Sequence, residues 1–205
     1  MLTKRNLLII ALLAGTGATT FSMFAPAMQM RAQAAQEHSP PKSVTILGTK
    51  LPLKDSRGGG AGQQFIAEYI PKGETFDNWT MMFASRFVPG TQLDPAASAE
   101  ATAHRISARK EKGDPMANAA VFKAPDGKSI VVDFLMSEGN VIEHNVFRYF
   151  QTPKGLVSLQ IARRIYETKT NNQEVKDFIT SIKAKRGVIL NEIMRADLPV
   201  DEAAK

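Results

Sequence analysis

The chain has 205 residues, enough for one domain of ordinary size and hardly enough for two. Hydrophobic residues make up 43% of the chain and charged residues 22%, values typical of globular proteins that exclude wholesale disorder and collagen-like repeats. The chain contains no cysteine, which excludes disulfide scaffolds, cysteine-based zinc sites, iron–sulfur clusters, thiol nucleophiles and a lipoprotein anchor.

Residues 1–34 have the pattern of a secretory signal peptide. Lys4 and Arg5 give a positive start, a short apolar core follows, and two small-x-small motifs come after it. We expect cleavage after Ala34, because the polar residues 35–43 are typical of a disordered mature N-terminus. The protein is therefore expected to be exported, to the periplasm of a bacterium.

An uncleaved membrane anchor is the alternative. Residues 7–25 contain no charge and are long enough to span a bilayer. Glycine and threonine weaken the second half of this stretch, and the cleavage motifs favour removal. Membrane contact is expected only if the segment stays attached.

The charge of the chain depends on this processing. Residues 1–34 carry three basic residues and no acidic one, so their removal lowers the formal net charge from +6 to +3. Nucleic-acid binding needs a dense basic face. We therefore expect no nucleic-acid partner.

The remainder shows no linker, charge block or repeat that would divide it. We expect one domain over residues 44–198 and a C-terminal tail over residues 199–205. Short strands are predicted at residues 44–47 and 51–53, followed by a glycine-rich loop at residues 55–62. No Lys-Ser or Lys-Thr follows the glycines, so the loop is interpreted as a hairpin rather than a phosphate site.

A strand is predicted over residues 64–70, ended by a Pro-Lys-Gly turn. Thr75 or Asp77 is expected to cap one helical turn that carries Trp79. Residues 80–88 have apolar side chains at both alternating sets of positions, so a helix and a strand stay equally open there.

The clearest helix signal is Asp94-Pro95, an N-cap followed by proline at the first helical position. The helix is predicted to run to about residue 112, where Gly-Asp-Pro ends it. A final helix is predicted from Asn171 or Asn172, with a kink or division at Gly187.

Two hairpins are predicted between these helices. Strands 119–123 and 129–136 flank Pro-Asp-Gly, and strands 140–151 and 156–166 flank Thr-Pro-Lys-Gly. In the last strand one set of alternating positions is apolar and the other polar, which predicts an antiparallel sheet with one covered face. The predicted fold class is α+β, an antiparallel sheet covered by helices.

The segment YIPKGETFDNWT, residues 69–80, combines a strand, a Pro-x-Gly turn and a capped turn carrying tryptophan. It resembles exported bacterial proteins of largely unknown role with a fold like that of PsbP and Mog1. The resemblance covers roughly residues 44–198. It implies an α/β sandwich that serves as an accessory or binding module, and it brings no catalytic residues.

No metal site or cofactor is expected. The chain has three histidines, His38, His104 and His144. His144 follows Glu143 in a predicted strand, so their side chains point to opposite faces. His104 is expected on the helix surface, and His38 is fourth in the mature chain, where a copper site at a free N-terminus needs it third.

Nucleophilic catalysis lacks the nucleophile-elbow and zinc-protease motifs, since Gly-x-Ser-x-Gly and His-Glu-x-x-His are both absent from the chain. Asp133 lies in an otherwise apolar strand, which indicates either an exposed sheet face or a buried ion pair. Arg148 and Arg163 on a neighbouring strand are the candidate partners for such a pair. A hydrolase using Asp133 or Glu143 is the least favoured function.

Aromatic residues and arginines alternate on the second hairpin, a composition that favours a protein interface. The candidate residues are Phe147, Tyr149, Phe150, Arg163, Arg164 and Tyr166. Alternatively, half of them face the core and the arginines are solvated. Trp79 is expected either to line a ligand cleft or to anchor the core.

The predicted function is therefore that of a non-enzymatic accessory or binding protein with a protein partner. A carrier of a small molecule or lipid, with a pocket between sheet and helix, is the alternative.

Overall fold

Eight strands and two helices form the described part of the computed structural model, which comprises residues 40–58, 63–90, 93–166 and 172–200. The predicted signal peptide lies outside these residues. The strands are β1 (Ser43–Ile46), β2 (Thr49–Gly58), β3 (Phe65–Tyr69), β4 (Met81–Pro89), β5 (Asn118–Lys123), β6 (Ile130–Glu138), β7 (Val141–Thr152) and β8 (Gly155–Tyr166). The helices are α1 (Pro95–Glu111) and α2 (Asn172–Ile193).

The strands pair antiparallel in one sheet, in the order β1-β2-β3-β4-β8-β7-β6-β5. Consecutive strands are neighbours except where β4 pairs with β8. The connection from β4 to β5 contains α1, and α2 follows β8. The α+β class is confirmed.

Both predicted hairpins are confirmed, and local turn chemistry explains them. In the β5–β6 turn the Asp126 carboxylate accepts hydrogen bonds from the backbone N–H groups of Lys128 and Ser129, at 2.9 and 2.8 Å. Between β7 and β8 the Thr152 hydroxyl accepts a hydrogen bond from the N–H of Gly155 at 3.2 Å.

β2 is longer than predicted. Residues 55–58, which were predicted as part of a glycine-rich loop, continue the strand after a register shift between Leu53 and Asp55. Pairing with β3 stabilises this extension, and the Arg57 guanidinium binds the β3 carboxylate Glu68 at 3.1 Å. Cross-strand pairing thus overrides the local preference for a turn.

Residues 81–89 form a strand, which resolves the ambiguity left by the apolar residues at both sets of alternating positions. β4 lies inside the sheet between β3 and β8, and side chains from both of its faces are buried. A strand covered on both faces has no polar side to alternate with an apolar one.

α1 begins where the sequence predicts it. The Asp94 carboxylate accepts hydrogen bonds from the N–H groups of Ala96 and Ala97, at 3.1 and 3.2 Å, and Pro95 occupies the first turn. The helix ends before Gly113, whose φ of 90° favours glycine.

α2 runs from Asn172 to Ile193 without a division at Gly187, so that part of the prediction is wrong. The space around Gly187 is open, and a single glycine lowers helix stability without breaking the hydrogen-bonding pattern. Among the helices of the described residues, none combines the length and the apolar character that a bilayer crossing requires.

The two helices cover opposite faces of the sheet. Phe147 and Tyr149 of β7 pack with α1, whereas Val146 packs in the cluster that contains Ile189 and Ile193 of α2. Adjacent residues of a strand point to opposite faces, so α1 and α2 are on different sides.

The prediction of one covered face is therefore wrong. Ser158 and Gln160 belong to the polar set of β8, yet each is only 7% exposed. The alternation in β8 separates an apolar buried face from a polar buried face, not a buried face from an exposed one.

Candidate functional site

The structure does not bring the six predicted interface residues together. Phe147 and Tyr149 are buried beneath α1, and Phe150 packs against the core on the α2 face. The remaining members, Arg163, Arg164 and Tyr166, lie partly exposed near the end of β8. Because successive side chains alternate, Arg163 points to the α2 face and the other two to the opposite face.

Arg164 is held by two neighbours. Its Nε and Nη2 donate to Glu143 Oε2 at 3.0 and 2.6 Å, and its guanidinium carbon lies 3.9 Å from the centre of the Trp79 ring. Burial alone would lower the pKa of Arg164, but the Glu143 carboxylate and the Tyr166 hydroxyl together outweigh it and raise that pKa. Arg164 is thus tied into the fold.

Trp79 is 4% exposed and packs with Ile70, Met82 and Ala162, so it anchors a small core cluster. The turn around it is fastened to β8, because the Tyr166 hydroxyl donates toward the carbonyl oxygens of Asp77 and Trp79, at 3.0 and 3.1 Å. The segment of residues 69–80 is therefore a structural corner at this end of the sheet.

Arg163 is less constrained. Its Nη2 donates to Ser181 Oγ at 3.4 Å, its guanidinium carbon lies 5.6 Å from the centre of the Phe178 ring, and its buried Nη1 has no hydrogen-bond partner. Burial lowers the pKa of Arg163. No carboxylate of the described residues forms an ion pair with it.

A groove of about 520 Å³ lies between the end of β8 and the start of α2, and we call it the β8–α2 groove. Its lining residues are Thr80, Arg163, Arg164, Ile165, Tyr166, Glu174, Asp177, Phe178 and Ser181. Glu174 and Asp177 are exposed on α2. The groove thus offers an arginine without an ionic partner, two carboxylates and aromatic surface.

The predicted partner of Asp133 is wrong. Asp133 Oδ1 lies 2.8 Å from His144 Nε2, and its Oδ2 accepts a hydrogen bond from Arg186 Nε at 2.6 Å. Burial alone would raise the pKa of Asp133, but the hydrogen bonds from His144 and Arg186 lower it. Arg186 belongs to α2, whose position over β6 the sequence does not reveal.

An aspartate–histidine pair is the arrangement that hydrolases use to activate a nucleophile. His144 is 1% exposed beneath α2, however, so a substrate cannot reach it in this conformation. Glu143 is also buried and is bound to Arg164. Both carboxylates therefore serve as internal ionic contacts.

Within the described part of the chain, no group of three or more histidine, aspartate or glutamate side chains is placed to hold a metal ion. His104 is exposed on α1, and His38 lies outside the described residues.

Sequence reasoning missed a polar patch on the α1 face of the sheet. Two rows cross the strands in register there: Arg86, Ser158 and Tyr149 form one row, and Glu68, Ala84, Gln160 and Phe147 form the next. The available signal was the presence of Glu68 and Arg86 inside otherwise apolar strands.

A family model matches residues 38–198, which includes every strand and both helices. The chain belongs to this family, which is uncharacterised. No curated protein and no solved structure matches the chain. The match covers the whole folded region and carries no information on activity.

Proposed function

We propose that the protein is an exported, periplasmic, non-enzymatic binding protein that holds a protein partner in the β8–α2 groove. One observation carries this proposal. Arg163 lies in the groove without an ionic partner among the described residues, and one of its N–H groups is buried and unbonded. Leaving such a group unpaired costs free energy, which a carboxylate supplied by a partner would recover.

The composition of the groove favours a polypeptide over a lipid. Arginine and tyrosine are enriched at the energetic centres of protein interfaces. Glu174 and Asp177 line the groove together with Arg163, so the groove is complementary to a segment that carries both an acidic and a basic side chain. A lipid tail would leave these charges without partners.

Export is the second element of the proposal. It is supported by the positive start, apolar core and small-x-small motifs of residues 1–34, and by the absence of cysteine. Intact-mass measurement of the protein from its host tests it. The expected mature chain begins at Ala35, and a mass that includes residues 1–34 would contradict cleavage.

A PsbP/Mog1-like fold is the third element. It is supported by the strand, turn and tryptophan order of residues 69–80 and by an antiparallel sheet with a helix on each face. Such a sandwich is suited to an accessory role, because it presents strand ends and helix starts for contacts. An experimental structure compared with both folds tests this element.

Site-specific photo-crosslinking in the host tests the groove. A photo-crosslinking amino acid at position 174 lies in the groove, and one at position 128 lies in the β5–β6 turn, away from the groove lining. We expect a defined protein adduct from position 174 and none of that mass from position 128.

The adduct identifies the partner, and its affinity is then measured with purified proteins. We expect Arg163→Gln to weaken binding at least tenfold, while Lys128→Gln, an exposed lysine outside the groove, leaves it unchanged. Equal affinity of Arg163→Gln and the wild type would refute the proposal.

A further inference from the structure

Two arginines, Arg86 and Arg105, contact the polar patch on the α1 face. Arg86 of β4 shares a row with Ser158 and Tyr149, and its guanidinium carbon lies 5.7 Å from the centre of the Phe147 ring. Arg105 of α1 approaches the same row from above, since its Nη2 donates to Thr102 Oγ1, which lies 3.0 Å from the Tyr149 hydroxyl.

Four buried polar atoms of this patch have no hydrogen-bond partner. Two are donors, Arg86 Nη1 and Arg105 Nε, and two are acceptors, Glu68 Oε1 and Gln160 Oε1. Buried polar groups are almost always paired in folded proteins. Four unpaired atoms in two adjoining rows and the helix above them therefore call for a ligand or ordered water.

The patch carries one more positive charge than negative charges. Glu68 binds Arg57 at 3.1 Å and lies 3.8 Å from Arg86, and Asp55 binds Arg57 at 3.1 Å. Two carboxylates thus face three arginines once Arg105 is counted, and Arg105 forms no ion pair with a described residue. Burial also lowers the pKa of Arg86, with Glu68 opposing the change, so a bound anion would relieve the cost of this buried cation.

Two side chains of the patch reach the protein surface. The Arg86 side chain is 21% exposed and Arg105 is half-buried, although their unpaired nitrogens are covered. Both are long side chains with several rotatable bonds, and entry of a ligand requires their guanidinium groups to rotate to other rotamers.

We propose that Arg86, Arg105, Gln160 and Glu68 form a binding site for a small hydroxycarboxylate, separate from the β8–α2 groove. The carboxylate accepts from the two guanidinium groups, and the hydroxyl donates to the unpaired oxygen of Gln160 or Glu68. A single negative charge matches the one uncompensated cation. The hydroxyl distinguishes this class from a simple fatty acid, which would leave both acceptor oxygens unpaired.

Titration of the full mature protein with lactate tests this site, and propionate, which lacks the hydroxyl, is the matched probe. The readout is the arginine Nε–Hε signals in a ¹⁵N-correlated NMR spectrum. For a ligand of this size we expect a Kd of about 1–10 mM. Saturable shifts of the Arg86 and Arg105 signals are expected with lactate, and at least fivefold weaker binding with propionate.

Arg105→Gln is the primary variant. Arg105 pairs with no described carboxylate, so its loss leaves no described carboxylate without an ionic partner. It is expected to weaken lactate binding at least tenfold, whereas Lys112→Gln, an exposed lysine just past the end of α1, has no effect. The double variant Arg86→Gln with Glu68→Gln removes the second cation together with its counter-charge, and it is expected to abolish binding without unfolding the protein.

Absence of lactate shifts, an Arg86 shift that persists with unchanged affinity in Arg105→Gln, or equal binding of propionate would each overturn the proposal. Arg163→Gln is expected to bind lactate like the wild type. Failure of the β8–α2 groove and failure of this site are therefore distinguishable.

Discussion

The Arg164 guanidinium carbon lies 3.9 Å from the centre of the Trp79 ring. The contact joins β8 to the corner that precedes β4, and Glu143 of β7 binds the same guanidinium. Neighbouring Arg163 points to the other face and lacks an ionic partner in the described structure. The two consecutive arginines thus differ in their contacts. Arg164 is bound by Glu143 and Trp79, whereas Arg163 lines the groove without an ionic partner.

Arg164→Ala is expected to lower the free energy of unfolding by about 3 kcal/mol. It leaves the buried Glu143 carboxylate without an ionic partner, with only the neutral hydrogen bond from Asn145, and it removes the cation from the Trp79 ring. Arg163→Ala is the matched control and is expected to cost less than about 1 kcal/mol. Urea unfolding followed by Trp79 fluorescence measures both. Equal losses of unfolding free energy in the two variants would contradict this difference between Arg164 and Arg163.

Asp133 and Arg186 form an ion pair whose two members differ in burial. Asp133→Ala is expected to cost about 3 kcal/mol, because it leaves the His144 ring nitrogen unpaired in the core. Arg186 is 49% exposed and the buried Asp133 carboxylate keeps its contact with His144, so Arg186→Ala is expected to cost about 1–2 kcal/mol, less than Asp133→Ala. A larger loss for Arg186→Ala in chemical denaturation would disprove this assignment.

Asp126 makes the free energy of unfolding depend on pH. Burial alone would raise its pKa, but hydrogen bonds from Ser129 and Lys128 and the charge of Arg148 lower that pKa from 3.8 to about 2. The folded state therefore binds this proton less readily than the unfolded state. The stabilisation is complete above about pH 4 and is lost as the pH falls toward 2.

Asp126→Asn is expected to reduce the loss of unfolding free energy between pH 5 and pH 2 by at most about 1 kcal/mol, because Asp126 is exposed and solvent screens its interactions. Glu100→Gln, an exposed carboxylate on α1, is the control. Unfolding curves at a series of pH values check the result, and identical pH profiles for Asp126→Asn and the wild type would rule the effect out.

Two glycines with opposite surroundings test the packing. A Cβ at Gly155 would collide with the Val88 carbonyl oxygen and lie 2.8 Å from Phe87 Cε2, so Gly155→Ala is expected to cost about 2–3 kcal/mol. A Cβ at Gly187 would meet open space within α2, so Gly187→Ala is expected to stabilise the protein by about 1 kcal/mol. Thermal unfolding measures the Tm of both variants against the wild type. A lower Tm for Gly187→Ala would contradict a continuous α2.

Local chemistry made much of the fold predictable. Asp94-Pro95 marks the start of α1, and Pro-Asp-Gly and Thr-Pro-Lys-Gly mark two hairpins, because each signal acts over a few residues. β4 was ambiguous since its burial on both faces removes the alternation that identifies a half-buried strand.

The candidate sites were less predictable because they depend on long-range packing. The partner Arg186 of Asp133 is 53 residues away in α2. Likewise, the polar set of β8 was expected to face solvent, and only the position of α1 shows that Gln160 is buried. Tyr149 was assigned to an interface for the same reason, since composition alone does not tell which aromatic residues a helix will cover.

Native mass spectrometry of the protein gently extracted from its host, as wild type and as Arg163→Gln, shows whether Arg163 holds a protein partner. We expect a complex of the mature chain with a second protein in the wild type and a free mature chain in Arg163→Gln. A bare monomer in the wild type, or the same complex in both samples, would contradict a protein partner held at Arg163.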